Sequence, residues 1–126
     1  MKIAIRGNRT ISELQQDFNS IFPFLNLEFF DLPVNQFVNH VSSGQEQPNL
    51  WLKDIREKNE DGELVIHQHM TVMQLENILS DEFGLHAKVF VKQGDHWMRS
   101  SLNGYWMLHH KNEEGRRTSH QLRYNN

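Results

Sequence analysis

The chain contains no cysteine. Disulfides, thiolate nucleophiles and thiolate zinc sites are thereby excluded. The absence fits a reducing compartment, so a cytoplasmic setting is expected. No stretch approaches the roughly 20 apolar residues that a membrane-spanning helix requires, and no membrane partner is expected. The opening Met1-Lys2-Ile3-Ala4-Ile5-Arg6 breaks after Ile5, which is not the pattern of a signal peptide. Positive charge is not in excess: 13 Lys and Arg stand against 16 Asp and Glu, which argues against a surface that is nucleic-acid footprint throughout. Also missing are the Gly-x-Ser-x-Gly elbow, the phosphate-binding loop and the dinucleotide fingerprint. Asp95-His96 sets an acid beside a base, but within a hairpin turn and with no obvious nucleophile, so it reads as turn chemistry. A non-enzymatic protein without a cofactor is expected. Hydrophobic residues, at 37%, are few enough that part of this 126-residue chain should be loop or tail around one domain.

What is present is a repeat. Ile3-Ala4-Ile5, Thr10-Ile11-Ser12-Glu13-Leu14 and Phe22 recur 61 residues later as Leu64-Val65-Ile66, Thr71-Val72-Met73-Gln74-Leu75 and Phe83. With one residue skipped near Pro23, Leu25 to Phe30 matches Leu85 to Phe90. Thr10-x-x-Glu13 and Thr71-x-x-Gln74 are both capping boxes at the same place in the repeat. In each, the Thr hydroxyl accepts a helical amide and the Glu or Gln reaches back to the Thr amide.

Each unit reads as strand, helix, strand. Lys2 to Arg6 alternates apolar and polar residues. From Thr10, the apolar residues Ile11, Leu14, Phe18, Ile21 and Phe22 follow helical spacing until Pro23 ends the run. Leu25, Leu27 and Phe29 alternate again. The second unit runs as strand 63–68, helix 71–82 and strand 85–91, with Gly84 at the helix stop. Between the units, Val34, Phe37, Val38 and Val41 fit a short helix after Pro33, residues 42–48 a loop, and Asn49 the cap of a helical segment holding Leu50, Trp51, Leu52 and Ile55. The acidic stretch from Glu57 to Glu63 reads as a solvated loop. Gln93-Gly94-Asp95 and Asn103-Gly104 are hairpin signals flanking strands at 96–99 and 105–108. Beyond residue 110 apolar content collapses, and 111–126 is expected to be a flexible tail.

Two strand–helix–strand units with right-handed crossovers imply an α+β, ferredoxin-like sandwich with a C-terminal β-meander extension, one domain over 1–110 with repeat units 2–30 and 63–91. The Ile3–Ile5 and Leu64–Ile66 strands would lie side by side in the centre of one sheet. Ile3, Ile5, Leu27, Phe29, Leu64, Ile66, Ala87 and Val89 would face both helices. Lys2, Ala4, Arg6, Glu28, Phe30, Val65, His67, His86, Lys88 and Phe90 would form the open face.

The run Phe83-Gly84-Leu85-His86-Ala87-Lys88-Val89-Phe90, a turn and then Trp97 resembles small bacterial domains of unknown function with a duplicated β-α-β pattern. The opening Lys2-Ile3-Ala4-Ile5-Arg6-Gly7-Asn8-Arg9-Thr10-Ile11 and Phe22-Pro23 carry the same likeness. It covers most of residues 1–108, rests on packing and turn residues, and implies no activity.

Three functional readings follow. The first is protein contact, as self-association or with another partner. An open face holding Phe30, Val65 and Phe90 with Trp97, Tyr105 and Trp106 is too apolar to stay wet, unless the segment 33–55 or the terminal tail folds over it. The second is single-stranded nucleic acid, because Phe30 and Phe90 beside Arg6 and Lys88 combine stacking rings with phosphate partners. The third uses the histidines, of which there are eight. His67 and His69 alternate on a strand, about 7 Å apart on one face, with His86 as the candidate third metal ligand. His109-His110 is assigned no role. The expected contact or ligand face comprises Arg6, Phe30, Val65, His67, Lys88, Phe90, Trp97 and Trp106.

Overall fold

The computed structural model describes residues 1–31, 36–38, 50–67, 69–99 and 104–124. The chain is α+β, with six strands and four helices among these residues. In order they are β1 (Lys2–Ile5), α1 (Ile11–Ile21), β2 (Leu25–Asp31), β3 (Gln36–Val38), α2 (Leu52–Ile55), β4 (Gly62–Val65), α3 (Val72–Phe83), β5 (Ala87–Gln93), β6 (His96–Arg99) and α4 (Leu108–Tyr124). Both capping boxes form: Thr10 Oγ1 accepts from Glu13 N at 3.2 Å, and Thr71 Oγ1 from Gln74 N at 3.1 Å. Gly84 ends α3 in the left-handed region (φ 65°), where a side chain is strained.

The strands form two antiparallel sheets, not one. β1 pairs with β4, and the second sheet has the order β3-β2-β5-β6. The first strands of the two units are neighbours, as the ferredoxin-like plan requires. Their second strands, however, pair with each other in a separate sheet rather than flanking the first pair. Ile3 lies opposite Leu64, its own counterpart, and Lys2↔Val65 mirrors Ala4↔Glu63. Glu28 lies opposite Lys88, again its counterpart, and Leu27↔Val89 mirrors Phe29↔Ala87. Both pairings are therefore centred on equivalent residues, with the same one-residue skip that the sequence alignment needs.

The correspondence extends past the second strands. Thr10 bridges Trp51 and Thr71 bridges Met107. Ile11 N donates to Leu50 O at 2.9 Å, and Val72 N to Trp106 O at 3.0 Å. Leu52 and Leu108, which open α2 and α4, are both fully buried. Each half thus runs β-α-β-β-α. The core draws Ile3, Ile5 and Leu64 from the small sheet, Leu25, Leu27, Phe29, Ala87, Val89 and Val91 from the large one, and the inner stripes of α1 and α3. Every residue expected to face the helices is buried.

Several expectations are corrected. Phe37 and Val38 belong to β3, paired with β2, and not to a helix. A four-residue apolar match at i, i+3, i+4, i+7 over so short a run does not settle the choice between the two, and edge pairing decides it. The expected positions Val34 and Val41, the loop 42–48 and Asn49 itself lie outside the described residues, whereas the helix expected from Asn49 starts only at Leu52, with Trp51 at its N-cap and Leu50 before it extended against α1. β6 and its Gly94-Asp95 turn form as expected, with Gly94 at φ 63°. The strand at 105–108 does not: Met107 makes only an isolated bridge, and Leu108 starts α4.

Nor is 111–124 a tail. α4 docks through a helical stripe of Leu108, Lys111, Gly115 and Ser119, all buried. Only Leu108 among them is a large apolar residue, so hydropathy does not announce the stripe. Asn112 Oδ1 accepts from Phe24 N at 2.8 Å, and Ser119 Oγ accepts from Gly94 N at 3.0 Å. Among the described residues no helix is long and apolar enough to cross a membrane.

Candidate functional site

Forming two sheets divides the expected open face. Arg6 and His67 are exposed at the ends of the small sheet, and Val65 is 38% exposed on its outer side. Phe30, Lys88, Phe90 and Trp97 share a face of the large sheet, because cross-strand partners point the same way. That face is not open: Phe90 and Glu28 are buried, and Phe30, Lys88 and Trp97 are half-buried. Trp106 stands apart, at the entry to α4. The eight expected residues therefore occupy three separate places.

Two clefts lie between the unit helices and the large sheet. The first, about 310 Å³, is lined by Ser12, Gln15, Gln16, Asn19, Asn26 and Trp97. The second, about 280 Å³, is lined by Phe30, Glu76, Asn77, Ser80, His86, Ala87 and Lys88. Gln15 and Glu76, Gln16 and Asn77, and Asn19 and Ser80 are repeat counterparts, as are Asn26 and His86. Equivalent helix faces meet equivalent strands, so the clefts are two copies of one feature with different chemistry.

In the first cleft Gln15 Nε2 donates to Leu27 O at 2.7 Å, and the lining carries no charge. In the second Glu76 accepts from Val89 N at 3.1 Å and lies 3.5 Å from Lys88 Nζ. His86 Nε2 lies 3.2 Å from Glu57 Oε2, but the contact lacks hydrogen-bond geometry.

A third cavity, about 460 Å³, is lined by His67, His69, Met70, Gln74, Asn77 and Ile78. Beside it the ring of His69 lies 6.2 Å from that of His109, which is 4.1 Å from His110. β4 ends at Val65 and His69 lies in a turn, so His67 and His69 do not alternate on a strand as expected; they share the lining of this cavity, and His86 faces the second cleft. Among the described residues no three His, Asp or Glu side chains converge on a metal position. His109, which the sequence left without a role, joins this group because α4 brings it there.

Large apolar side chains are exposed at the start of α3. Val72 N donates to Trp106 O at 3.0 Å, and Met73 N donates to Gly104 O at 2.9 Å. These bonds hold Met73, Tyr105 and Trp106 in one patch, exposed by 39%, 76% and 50%. Lys111 Nζ lies over the Trp106 ring at 5.5 Å while pairing with Glu114 at 3.0 Å. Tyr105-Trp106 was visible in the sequence as an aromatic pair after a turn, but Met73 reads only as a helix residue.

The start of α1 is fixed differently. Arg56 donates to Asp61 at 2.8 Å, and Asp61 also accepts from Gly7 N at 3.0 Å. The Arg56 hydrogen bond, aided by the Gly7 amide, holds the Asp61 carboxyl below the usual carboxylate range. Asp61 is thus tied down within the stretch expected to be a solvated loop.

Comparison with protein-family models, with curated proteins and with solved structures finds no match to this chain.

Proposed function

We propose that the protein is a non-enzymatic binding domain that works through protein contacts, and that Met73, Tyr105 and Trp106 form its contact surface. The observation that carries this reading is the pairing of Tyr105 and Trp106, both exposed, on backbone tied to α3. Trp and Tyr are the usual anchors of protein interfaces, and a backbone already held in place loses little freedom on binding. A second copy of the chain and a different protein are both partners of this kind. Single-stranded nucleic acid has less support. Phe90 is buried, and the Lys88 ammonium lies 3.5 Å from the Glu76 carboxylate, which shares its cleft and would repel a phosphate. We further infer that the two β-α-β-β-α halves descend from one duplicated unit, a reading supported by the two pairings centred on equivalent residues.

A photo-crosslinking amino acid at Tyr105 tests the contact in cells. The expected result is a covalent adduct with one protein, either this chain or another, identified by mass spectrometry and absent when the crosslinker sits at Glu60. Trp106→Ala should then weaken that complex by about 2 kcal/mol, roughly 30-fold, in a titration of the purified partners. Failure to form any adduct at Tyr105 would overturn the assignment.

A further inference from the structure

We propose that the first cleft, between α1 and the large sheet, binds a neutral sugar, with Trp97 as the platform for its C–H face and the side-chain amides of Gln15, Gln16, Asn19 and Asn26 as partners of its hydroxyls. Among the described residues no ionisable side chain lines this cleft, and its volume of about 310 Å³ accommodates one hexose ring. It lies apart from the contact surface formed by Met73, Tyr105 and Trp106, so the two assignments stand independently.

The partners of the amides set which way they point. Gln15 Nε2 donates to Leu27 O at 2.7 Å, and Asn19 Nδ2 donates to Leu25 O at 3.0 Å and to Pro23 O at 3.2 Å. A backbone carbonyl only accepts, so these nitrogens are fixed on β2 and the turn before it, and the side-chain oxygens are left on the cleft side. Asn26 Nδ2 likewise donates to Glu28 Oε1 at 2.9 Å. None of these three amide oxygens is sealed from solvent without a partner. The cleft therefore offers acceptors whose positions are set by backbone and strand, and Gln16, exposed at the rim, adds a donor as well as an acceptor.

A ligand for these groups must donate hydrogen bonds, carry no charge that the lining would leave unpaired, and present an apolar surface to an indole. A pyranose does all three: its rim hydroxyls donate and accept, it is neutral, and its faces carry C–H groups. Trp97 is half-buried on β6, and its cross-strand neighbour Lys92 braces it, with Nζ 5.9 Å from the ring centre. The platform is thus held before a ligand arrives, which lowers the entropy lost on binding. The second cleft shows the contrast. It sets Glu76, His86 and Lys88 where the first has Gln15, Asn26 and Glu28, and it has no tryptophan. A neutral ligand there would have to strip water from charged groups without replacing it.

Proton–nitrogen NMR spectra of the labelled protein test the site, with glucose, galactose, mannose and N-acetylglucosamine each added to about 50 mM, since a ligand of this size should bind with a Kd on the order of 1 mM. At least one sugar is expected to shift the Trp97 indole N–H and the side-chain amide resonances of Gln16 and Asn19, and to leave the side-chain amide of Asn77 on α3 in place. Trp97→Ala should weaken that binding by about tenfold or more. Gln16→Ala, at an exposed helix position where folding is not at stake, should weaken it about threefold. No shift with any of the four sugars would overturn the proposal, whether or not tetramethylammonium, the cationic alternative for a tryptophan, moves the same resonances. Shifts that survive both substitutions unchanged would overturn it as well.

Discussion

Gly115 is where a missing side chain decides the packing of a whole helix. A Cβ there would sit 2.9 Å from Phe24 Cβ, 3.0 Å from Val91 Cγ1 and 3.1 Å from the carbonyl of Lys92. On a solvated helix Gly→Ala stabilises by about 1 kcal/mol. Here the intrusion should cost about 1–3 kcal/mol of packing, so Gly115→Ala is expected to lower the urea midpoint rather than raise it. The sign separates a docked α4 from a tail. The sequence could not disclose this contact, because glycine within a polar run reads as a helix breaker. Lys111 and Ser119, its companions on the buried stripe, likewise read as solvent-facing. The docking face is built of close approach and hydrogen bonds, which hydropathy does not register.

Elements were more legible than their partners. β1, α1, β2, α3 and β5 follow unbroken periods of two or 3.6, and the capping boxes mark both helix starts, so their limits agree with expectation within a few residues. Thr71→Ala should therefore cost about 1 kcal/mol by removing the acceptor for Gln74 N, with Thr71→Ser close to neutral. Equilibrium denaturation of the two variants checks this. Which strands pair was not legible. One sheet or two makes the same demand on each strand, namely one buried face and one outer face, so alternation is identical in both arrangements. That ambiguity misplaced the candidate face, because Arg6, Val65 and His67 went to one sheet and Phe30, Lys88 and Phe90 to the other. Tyr105 and Trp106 were expected on the contact face, but the place of Met73 beside them and the His69–His109 pair escaped notice for a related reason: both depend on the path from residue 104 into α4, which was expected to be a strand and then a tail.

The two halves form one core with α4 as part of its cover. Ending the chain at residue 107 would remove Leu108, fully buried, and uncover Val91 and Phe24. Such a truncation should lose its cooperative calorimetric transition and bind a hydrophobic dye, whereas loss of a mere tail would change neither. The two β-α-β-β-α halves are nevertheless not interchangeable, and the reason lies at the centre of the large sheet. Glu28 is fully buried there, directly opposite Lys88. A position on a rotation axis meets its own copy in any assembly of identical subunits. Two molecules of the first half alone would set carboxylate against carboxylate in a buried strand pair, and two of the second would set ammonium against ammonium. Only a chain that carries both halves can place unlike residues at that point, with Glu28 taking a hydrogen bond from Asn26 and Lys88 turned to Glu76, so covalent linkage frees the axis from having to be its own complement.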